Sequence, residues 1–137
     1  MVSFSEKPPV PADFFLLFDT TGWNSHYHLN ESELFNALKN SWYHLSAYDD
    51  DRLIGFGRII CDGVVHALIL DMIVHPDYQG EGVGTELLDK LVAHCREYRI
   101  RDIQLFCAKG KKDFYLKGGF SVRPSDGPGM EIKMQYK

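Results

Sequence analysis

Apolar positions change their spacing several times along this 137-residue chain, and each change predicts an element. "PADFFLLFDTTGW" looks helical to about Thr20, ending before Gly22. "NESELFNALKNS" starts a second helix, with Asn30 as N-cap and Glu33 three residues on in the arrangement of a capping box. "WYHLSAY", "RLIGFGRII" and "VVHALILDMIV" then read as strands, joined by "DDD" and "DG", turn chemistry suited to antiparallel hairpins. From Val83 the spacing returns to that of a helix. Val83, Leu87, Leu88, Leu91, Val92 and Cys95 make one apolar stripe, and the helix is expected to end near Arg99. "DIQLFCA" alternates, with Ile103, Leu105 and Cys107 on one face. "KKDFYLKGG" reads as a short helix stopped by Gly118 and Gly119, and "FSVRP" and "MEIKMQY" as a closing hairpin.

This order predicts one α/β domain over residues 1–137 with a mixed sheet. The segment from Leu68 to Cys107 is a strand–turn–helix–strand crossover, which places a ligand at the carboxyl end of its first strand. A composition of 45% hydrophobic and 25% charged residues suits a single core of ordinary size. No apolar run approaches the roughly 20 residues of a membrane span. "MVSFSEKPPVP" lacks the basic segment and apolar core of an export signal, so a cytoplasmic location is expected. Cys61, Cys95 and Cys107 are odd in number, widely spaced and set in apolar segments. They read as buried thiols, and neither a disulfide framework nor a metal site is expected.

A net charge of −4 argues against phosphate-backbone binding as the main activity, so no nucleic-acid partner is expected. It suits a cationic substrate. Lys109, Lys111, Lys112 and Lys117 run the other way and read either as a solvated helical face or as an attractor for a phosphorylated ligand.

"DMIVHPDYQGEGVGTELLDKL" concentrates the candidate chemistry. Glycine costs an element roughly 0.5–1 kcal/mol relative to alanine, so Gly80, Gly82 and Gly84 at an element boundary suggest close approach of a ligand to the backbone. The Walker pattern fails, because Thr85 and Glu86 follow Gly84 where Lys and Ser or Thr would be needed. The dinucleotide fingerprint fails too: the last glycine of G-x-G-x-x-G is Thr85 counted from Gly80 and Leu87 counted from Gly82. What remains is Q-x-x-G-x-G, Gln79 to Gly84, after a strand ending in V-x-P and before an amphipathic helix. A helix N-terminus carries unpaired N–H donors and about half a positive charge, so it binds an anion without a lysine.

The stretch from about Leu53 to Gln135, with this turn and a later "FYLKGGF", resembles the GNAT superfamily of N-acetyltransferases. The resemblance implies a mostly antiparallel central sheet flanked by helices, with a parallel split between the fourth and fifth strands. It implies acetyl-CoA as cosubstrate and no metal. Gln79, Gly80, Glu81, Gly82, Val83, Gly84 and Thr85 would hold its pyrophosphate. Met72, Ile73 and Val74 would lie along its pantetheine arm, with the Val74 N–H donating to the thioester carbonyl as it becomes an oxyanion. Tyr115 would protonate the leaving thiolate, a role open to a phenol that is still protonated at pH 7; packing beside Phe114 is its alternative reading. The reaction would be direct transfer of acetyl to an amine. Many relatives carry asparagine seven residues before the tyrosine, where this chain has Ala108. Lys109, Gly110 and Lys111 are candidates for phosphate contacts there.

An ammonium acceptor must first lose a proton. Asp71 interrupts an apolar run, and strand alternation puts it on one face with Ile69 and Ile73; it is the first candidate base, its alternative being an aspartate that orders the loop or pairs with a lysine. His75 and His66 come second. "TTGWNSHYH" joins the first two helices, which in the family walls the acceptor site. Trp23 and Tyr27 are therefore candidate acceptor contacts, with His26 and His28 beside them, against the alternative of loop aromatics packing on the sheet. Asp126 in "RPSDGPGM" could attract a cation at the same site. A small-molecule amine is the expected acceptor, a protein amino group the other option. A homodimer through sheet edges and "MEIKMQYK" is among the things the resemblance implies. The competing class is a non-catalytic acetyl-CoA-binding regulatory module, which would keep the glycine turn and have no use for Tyr115.

Overall fold

The computed structural model describes residues 1–136. It contains two compact units, Met1–Leu105 and the residues from Phe106 onward.

The first unit is a five-stranded sheet in the order β1 (Val2–Ser5), β2 (Tyr43–Asp49), β3 (Arg52–Cys61), β4 (His66–Val74), β5 (Asp102–Leu105). All neighbours are antiparallel except β4 and β5, which run parallel, as the resemblance implies. β1 was not expected. Its four residues pair with Ser46–Asp49 and carry too little local pattern to be read as a strand.

Helices cover both faces of the sheet. α1 (Pro11–Asp19) presents Phe14, Leu17 and Phe18, and α3 (Glu31–Lys39) presents Leu34 and Leu38, to a cluster with Leu53, Phe56 and Ile73. Burial of each such side chain is worth about 1.5–3 kcal/mol. α3 begins where its capping box predicts: Asn30 Oδ1 accepts from the Glu33 N–H at 2.8 Å, and the Glu33 carboxylate accepts from the Asn30 N–H at 3.0 Å. α2 (Asn24–Tyr27) is a single turn within the expected connection, ended by His28 at φ 54°.

α4 (Val83–Glu97) buries most of the expected stripe, with Val83, Leu87, Leu88, Leu91 and Cys95 inside and Val92 half-buried. Its leucines come so close to β3 that no side chain fits beneath them. A Cβ on Gly55 would stand 2.9 Å from Leu87 Cδ1, and one on Gly57 2.7 Å from Leu91 Cδ1. Those contacts place α4 on the face opposite α1 and α3.

The second unit holds α5 (Lys112–Lys117), closed by Gly118 and by Gly119 at φ 94°. The expected closing hairpin is not present: residues 120–136 form no strand, and their order is a turn in which the Gly127 N–H donates to Pro124 O at 2.9 Å. Pro124 and Pro128 each lack a ladder donor, which disfavours pairing next to that turn. The expected strand to Ala108 stops at Leu105: β4 and β5 pair only from His66–Asp102 to Ile69–Leu105. Cys95 is buried and Cys61 half-buried, but Cys107, beyond the end of β5, is exposed.

Candidate functional site

Beyond Ile69, β4 has β3 on one side and no paired strand on the other among the described residues. Leu70 to Val74 therefore offer main-chain groups along an open edge. That stretch includes Met72, Ile73 and Val74, the segment expected to run beside the cofactor arm.

β4 delivers the chain to a 3-10 turn, Pro76–Tyr78, and then to the glycines. The turn is tied down from several directions. Gln79 Nε2 donates to Val74 O at 3.0 Å, so the motif glutamine staples the turn to the end of β4. The Tyr78 hydroxyl donates to Asp49 Oδ2 at 2.7 Å, and its ring lies under the Arg52 guanidinium, 5.4 Å from centroid to Cζ. Arg52 also reaches Asp77 at 3.4 Å. His75 Nδ1 accepts from the Asp77 N–H at 3.1 Å, and its Nε2 stands 3.3 Å from Arg52. His75 thus helps build the turn. His66, the other histidine candidate, is exposed beside Asp102 at 3.4 Å, at the opposite end of β4.

Gly80 and Gly82 have φ of 81° and 86°, and a Cβ at either would meet nothing within 4 Å. The need for glycine is thus conformational in the protein by itself, and the side facing away from the chain is empty. Gly82 is the N-cap of α4 and supplies no side-chain cap, so the first-turn N–H groups at Val83, Gly84 and Thr85 keep their donors for an incoming acceptor. Glu81 and Thr85 are exposed on either side of them. An anion set there would meet aligned N–H donors and the positive end of a 15-residue helix.

Asp71 lies at the start of the open stretch, but not as alternation predicts. Phe56 pairs with Ile73 and Arg58 with Leu70, so Gly57 alone faces both Asp71 and Met72: β4 carries a bulge there. Ile69, opposite Ile59, faces α4, whereas Ile73 packs with Phe56 among the residues of α1 and α3. The two isoleucines are on opposite faces, and the extra residue is the reason. Asp71 takes φ 53°, and its Oδ2 accepts from Arg58 Nε at 2.6 Å. Asp71 is thus paired with a cation, but the partner is Arg58 and not the lysine expected. Arg58 was not singled out from the sequence; a charge between the apolar residues of "GFGRII" was its only mark.

Of the candidate acceptor residues, Trp23 packs edge-on to Phe18 at 5.8 Å and leans on the core, the packing alternative for that loop. Tyr27 is 48% exposed. Asp126 is exposed in the turn of the second unit. In that unit Tyr115 is buried, with Phe114 and Phe120 edge-on at 5.0 and 6.0 Å. Burial, and secondarily Cys107, pushes its phenol above the ordinary value of 10, so it stays protonated at neutral pH. Lys109, Lys111 and Lys112 are exposed. No group of acidic, histidine or cysteine side chains among the described residues could hold a metal ion, and no described helix is long and apolar enough to cross a membrane.

A family model for the acetyltransferase (GNAT) domain matches residues 40–122, from the start of β2 to just past α5. The chain belongs to the GNAT family. This family member is 36% identical over 98 residues to the N-acetyltransferase ycf52 of Pyropia yezoensis, covering 69% of this chain and 56% of that protein. It is 33% identical over 129 residues to histone acetyltransferase TAP1 of Glycine max, covering 86% and 54%. A chloroplastic serotonin N-acetyltransferase 2 of Oryza sativa is 34% identical over 104 residues, covering 73% and 52%. The GNAT chain thus spans about half the length of these curated relatives. Among solved structures, a probable acetyltransferase of meticillin-resistant Staphylococcus aureus superposes with a TM-score of 0.87 at 27% identity, covering 98% of this chain and all of that one. An acetyltransferase of Clostridium acetobutylicum solved with acetyl-CoA shares the fold, with a TM-score of 0.71 at 20% identity over 96% of both chains.

Proposed function

We propose that this GNAT chain moves acetyl from acetyl-CoA to a primary amine by direct transfer within a ternary complex. The observation that carries the reading is the continuity of the open β4 edge, Leu70 to Val74, with the left-handed Gly80 and Gly82 and the uncapped start of α4. An extended thioester arm ending in a pyrophosphate matches that sequence of donors. The Clostridium relative in fold was solved with acetyl-CoA, which supports the same cosubstrate here.

In this reading the pyrophosphate is held by the N–H groups from Gly80 to Thr85, with Gln79 and Glu81 shaping the turn. Met72, Ile73 and Val74 hold the arm, and the Val74 N–H stabilises the oxyanion. The amine nitrogen, free of its ammonium proton, attacks the thioester carbon, the carbon–sulfur bond breaks, and the thiolate takes a proton from the Tyr115 hydroxyl; the new amide nitrogen sheds its extra proton to water, and the tyrosinate regains one from water. Tyr115 is assigned on its place in the "FYLKGGF" motif and on its protonated state. The acceptor is a small amine, with Tyr27 as its proposed contact. The serotonin N-acetyltransferase of rice supports that class, whereas the histone acetyltransferase of soybean supports a protein amino group.

The test is calorimetric titration with acetyl-CoA followed by thiol release against small amines and a lysine-containing peptide, for wild type and Tyr115→Phe. The proposal expects acetyl-CoA binding in both proteins, turnover with a small amine in the wild type, and a kcat at least tenfold lower in the variant. Absence of acetyl-CoA binding refutes the site, and binding without turnover of any amine refutes the enzyme in favour of a regulatory module.

A further inference from the structure

We propose that Arg58 and Asp71 form a latch that sets the bulge of β4, so that both are positioning residues for acetyl transfer and Asp71 is not the base that deprotonates the acceptor. The kinetic part of this inference rests on the function proposed above.

The bulge is a strained feature that the sequence does not relieve with glycine. Asp71 holds φ 53°, a region unfavourable to an ordinary L-residue and one that aspartate and asparagine visit more readily than others. Such a residue persists where its surroundings over-determine it. Here they do so through one side chain. Arg58 donates from Nε to Asp71 Oδ2 at 2.6 Å, with side-chain exposures of only 12% and 22%. Its Nη1 reaches back to Ala37 O at 3.4 Å and Ser41 Oγ at 3.5 Å. The guanidinium is therefore anchored at the carboxyl end of α3, where the helix dipole favours a cation.

Gly57 completes the device. It is the residue that faces both Asp71 and Met72, and a Cβ there would lie 2.8 Å from Met72 Sδ. The position of Met72 thus depends on the bulge to one side and on the empty space at Gly57 to the other. Met72 is also the first of the three residues assigned to the cofactor arm. The bulge begins two residues after Ile69, the last residue of β4 to pair with β5, so the latch sits where the strand is released to face a ligand.

The same geometry argues against Asp71 as a base. Its Oδ2 accepts from the guanidinium at 2.6 Å, so turning that oxygen toward an amine would break the contact that holds the bulge. A shift of about 1 Å in a catalytic group costs on the order of 100-fold in rate, and loss of one oxyanion donor costs about 100- to 1,000-fold. A bulge that relaxes would act through both.

Asp71→Asn separates the two roles, because asparagine tolerates the left-handed conformation and can accept from Arg58 Nε, but cannot take a proton. Arg58→Gln removes the latch and leaves Asp71 in place; Arg58→Lys is read in its stead if the glutamine variant does not fold. Two readouts are needed: amide hydrogen exchange at Met72, Ile73 and Val74, which requires no activity, and steady-state thiol release with acetyl-CoA and an amine accepted by the wild type. The expected result is faster exchange at those three amides in Arg58→Gln, with the α4 core at Leu87 and Leu91 unchanged. With it should come a roughly 10- to 100-fold drop in kcat at little change in KM for acetyl-CoA, against about threefold for Asp71→Asn with the pH–rate profile keeping its shape. The proposal is overturned if Asp71→Asn loses as much kcat as Arg58→Gln or more, or if exchange at Met72–Val74 is the same in Arg58→Gln as in wild type. If wild type neither binds acetyl-CoA nor turns over, the proposed function is what fails, and the exchange result alone decides for or against the latch.

Discussion

Gly82→Ala separates what the glycine turn does for the fold from what it does for a ligand. In the free protein a methyl group at this position touches nothing within 4 Å, so the cost is that of holding alanine at φ 86° and ψ 0°. That cost is about 1–2 kcal/mol. With an unfolding entropy of about 2.1 cal/mol/K per residue over the chain, the melting temperature should fall by roughly 3–7 °C. The ligand sees a different perturbation. The methyl enters the empty side of the turn, through which a pyrophosphate would reach the first N–H groups of α4. One displaced hydrogen bond to a charged group costs about 1.5–3 kcal/mol. At about 1.4 kcal/mol per factor of ten, acetyl-CoA should bind roughly 10- to 100-fold more weakly. Gly82→Asn is the companion variant, because asparagine accepts the left-handed backbone; it should melt close to wild type and still bind weakly. Thermal melts without ligand and calorimetric titrations with acetyl-CoA measure both effects. If the alanine variant melts lower while both variants bind acetyl-CoA with wild-type affinity, the glycines serve the turn alone and the pyrophosphate assignment is refuted.

Two further outcomes follow from packing and protonation. Gly55→Ala places a methyl 3.3 Å from Ile73 O and from Ala47 Cβ, neighbours fixed by the sheet, whereas Gly57→Ala meets only the flexible ends of Leu91 and Met72; urea unfolding should show the first variant less stable by about 1–3 kcal/mol and the second by less, and the reverse order would contradict the packing of α4. His44 is stacked on Phe56 with a buried Nδ1 that has no partner, and burial, opposed by Glu6, holds it below its ordinary value of 6.5. Below pH 6.5 the unfolded chain therefore takes up the proton more readily than the folded one, and stability should decline as the pH falls toward 5. His44→Leu should flatten that decline in urea midpoints measured between pH 7.5 and 5, before the carboxylates begin to titrate, and an unchanged slope would exclude His44 as its source.

Which parts of the fold could be read from the sequence depended on whether the determining signal was local. α3 announces itself by a capping box, and α4 by an apolar stripe of which the structure buries every position but the half-buried Val92. β1 has only four residues and exists through its pairing with β2, so nothing in "VSFS" marks it. The bulge at Asp71 was hidden for another reason. Every other residue from Ala67 to Val74 is apolar, because helices cover both faces of the sheet there, and a run without alternation cannot report an inserted residue. The closing segment failed in the opposite sense. Met130, Ile132, Met134 and Tyr136 alternate as a strand should, yet they are 57–87% exposed, since a period of two specifies a face and not the strand that pairs with it.

The candidate site divides along the same line. The half proposed for the cofactor is made of backbone: two left-handed glycines, an uncapped helix start and a strand edge unpaired among the described residues. Each leaves a trace in the sequence, because only certain residues permit those conformations, and the motif from Gln79 to Gly84 fell where the structure has them. The acceptor half depends on side chains, and an aromatic residue can fill a core as well as it lines a pocket. Trp23 shows the ambiguity: the family resemblance places its loop beside the acceptor, and its ring meets Phe18 edge-on at the rim of the core. Tyr27, exposed on the same one-turn helix, keeps a surface that an amine can reach. A tyrosine can supply cation–π attraction worth about 0.5–1 kcal/mol at such a site, so Tyr27→Ala should raise KM for the amine a fewfold and leave acetyl-CoA binding unchanged. Equal KM values in the two proteins would remove this loop from the acceptor site.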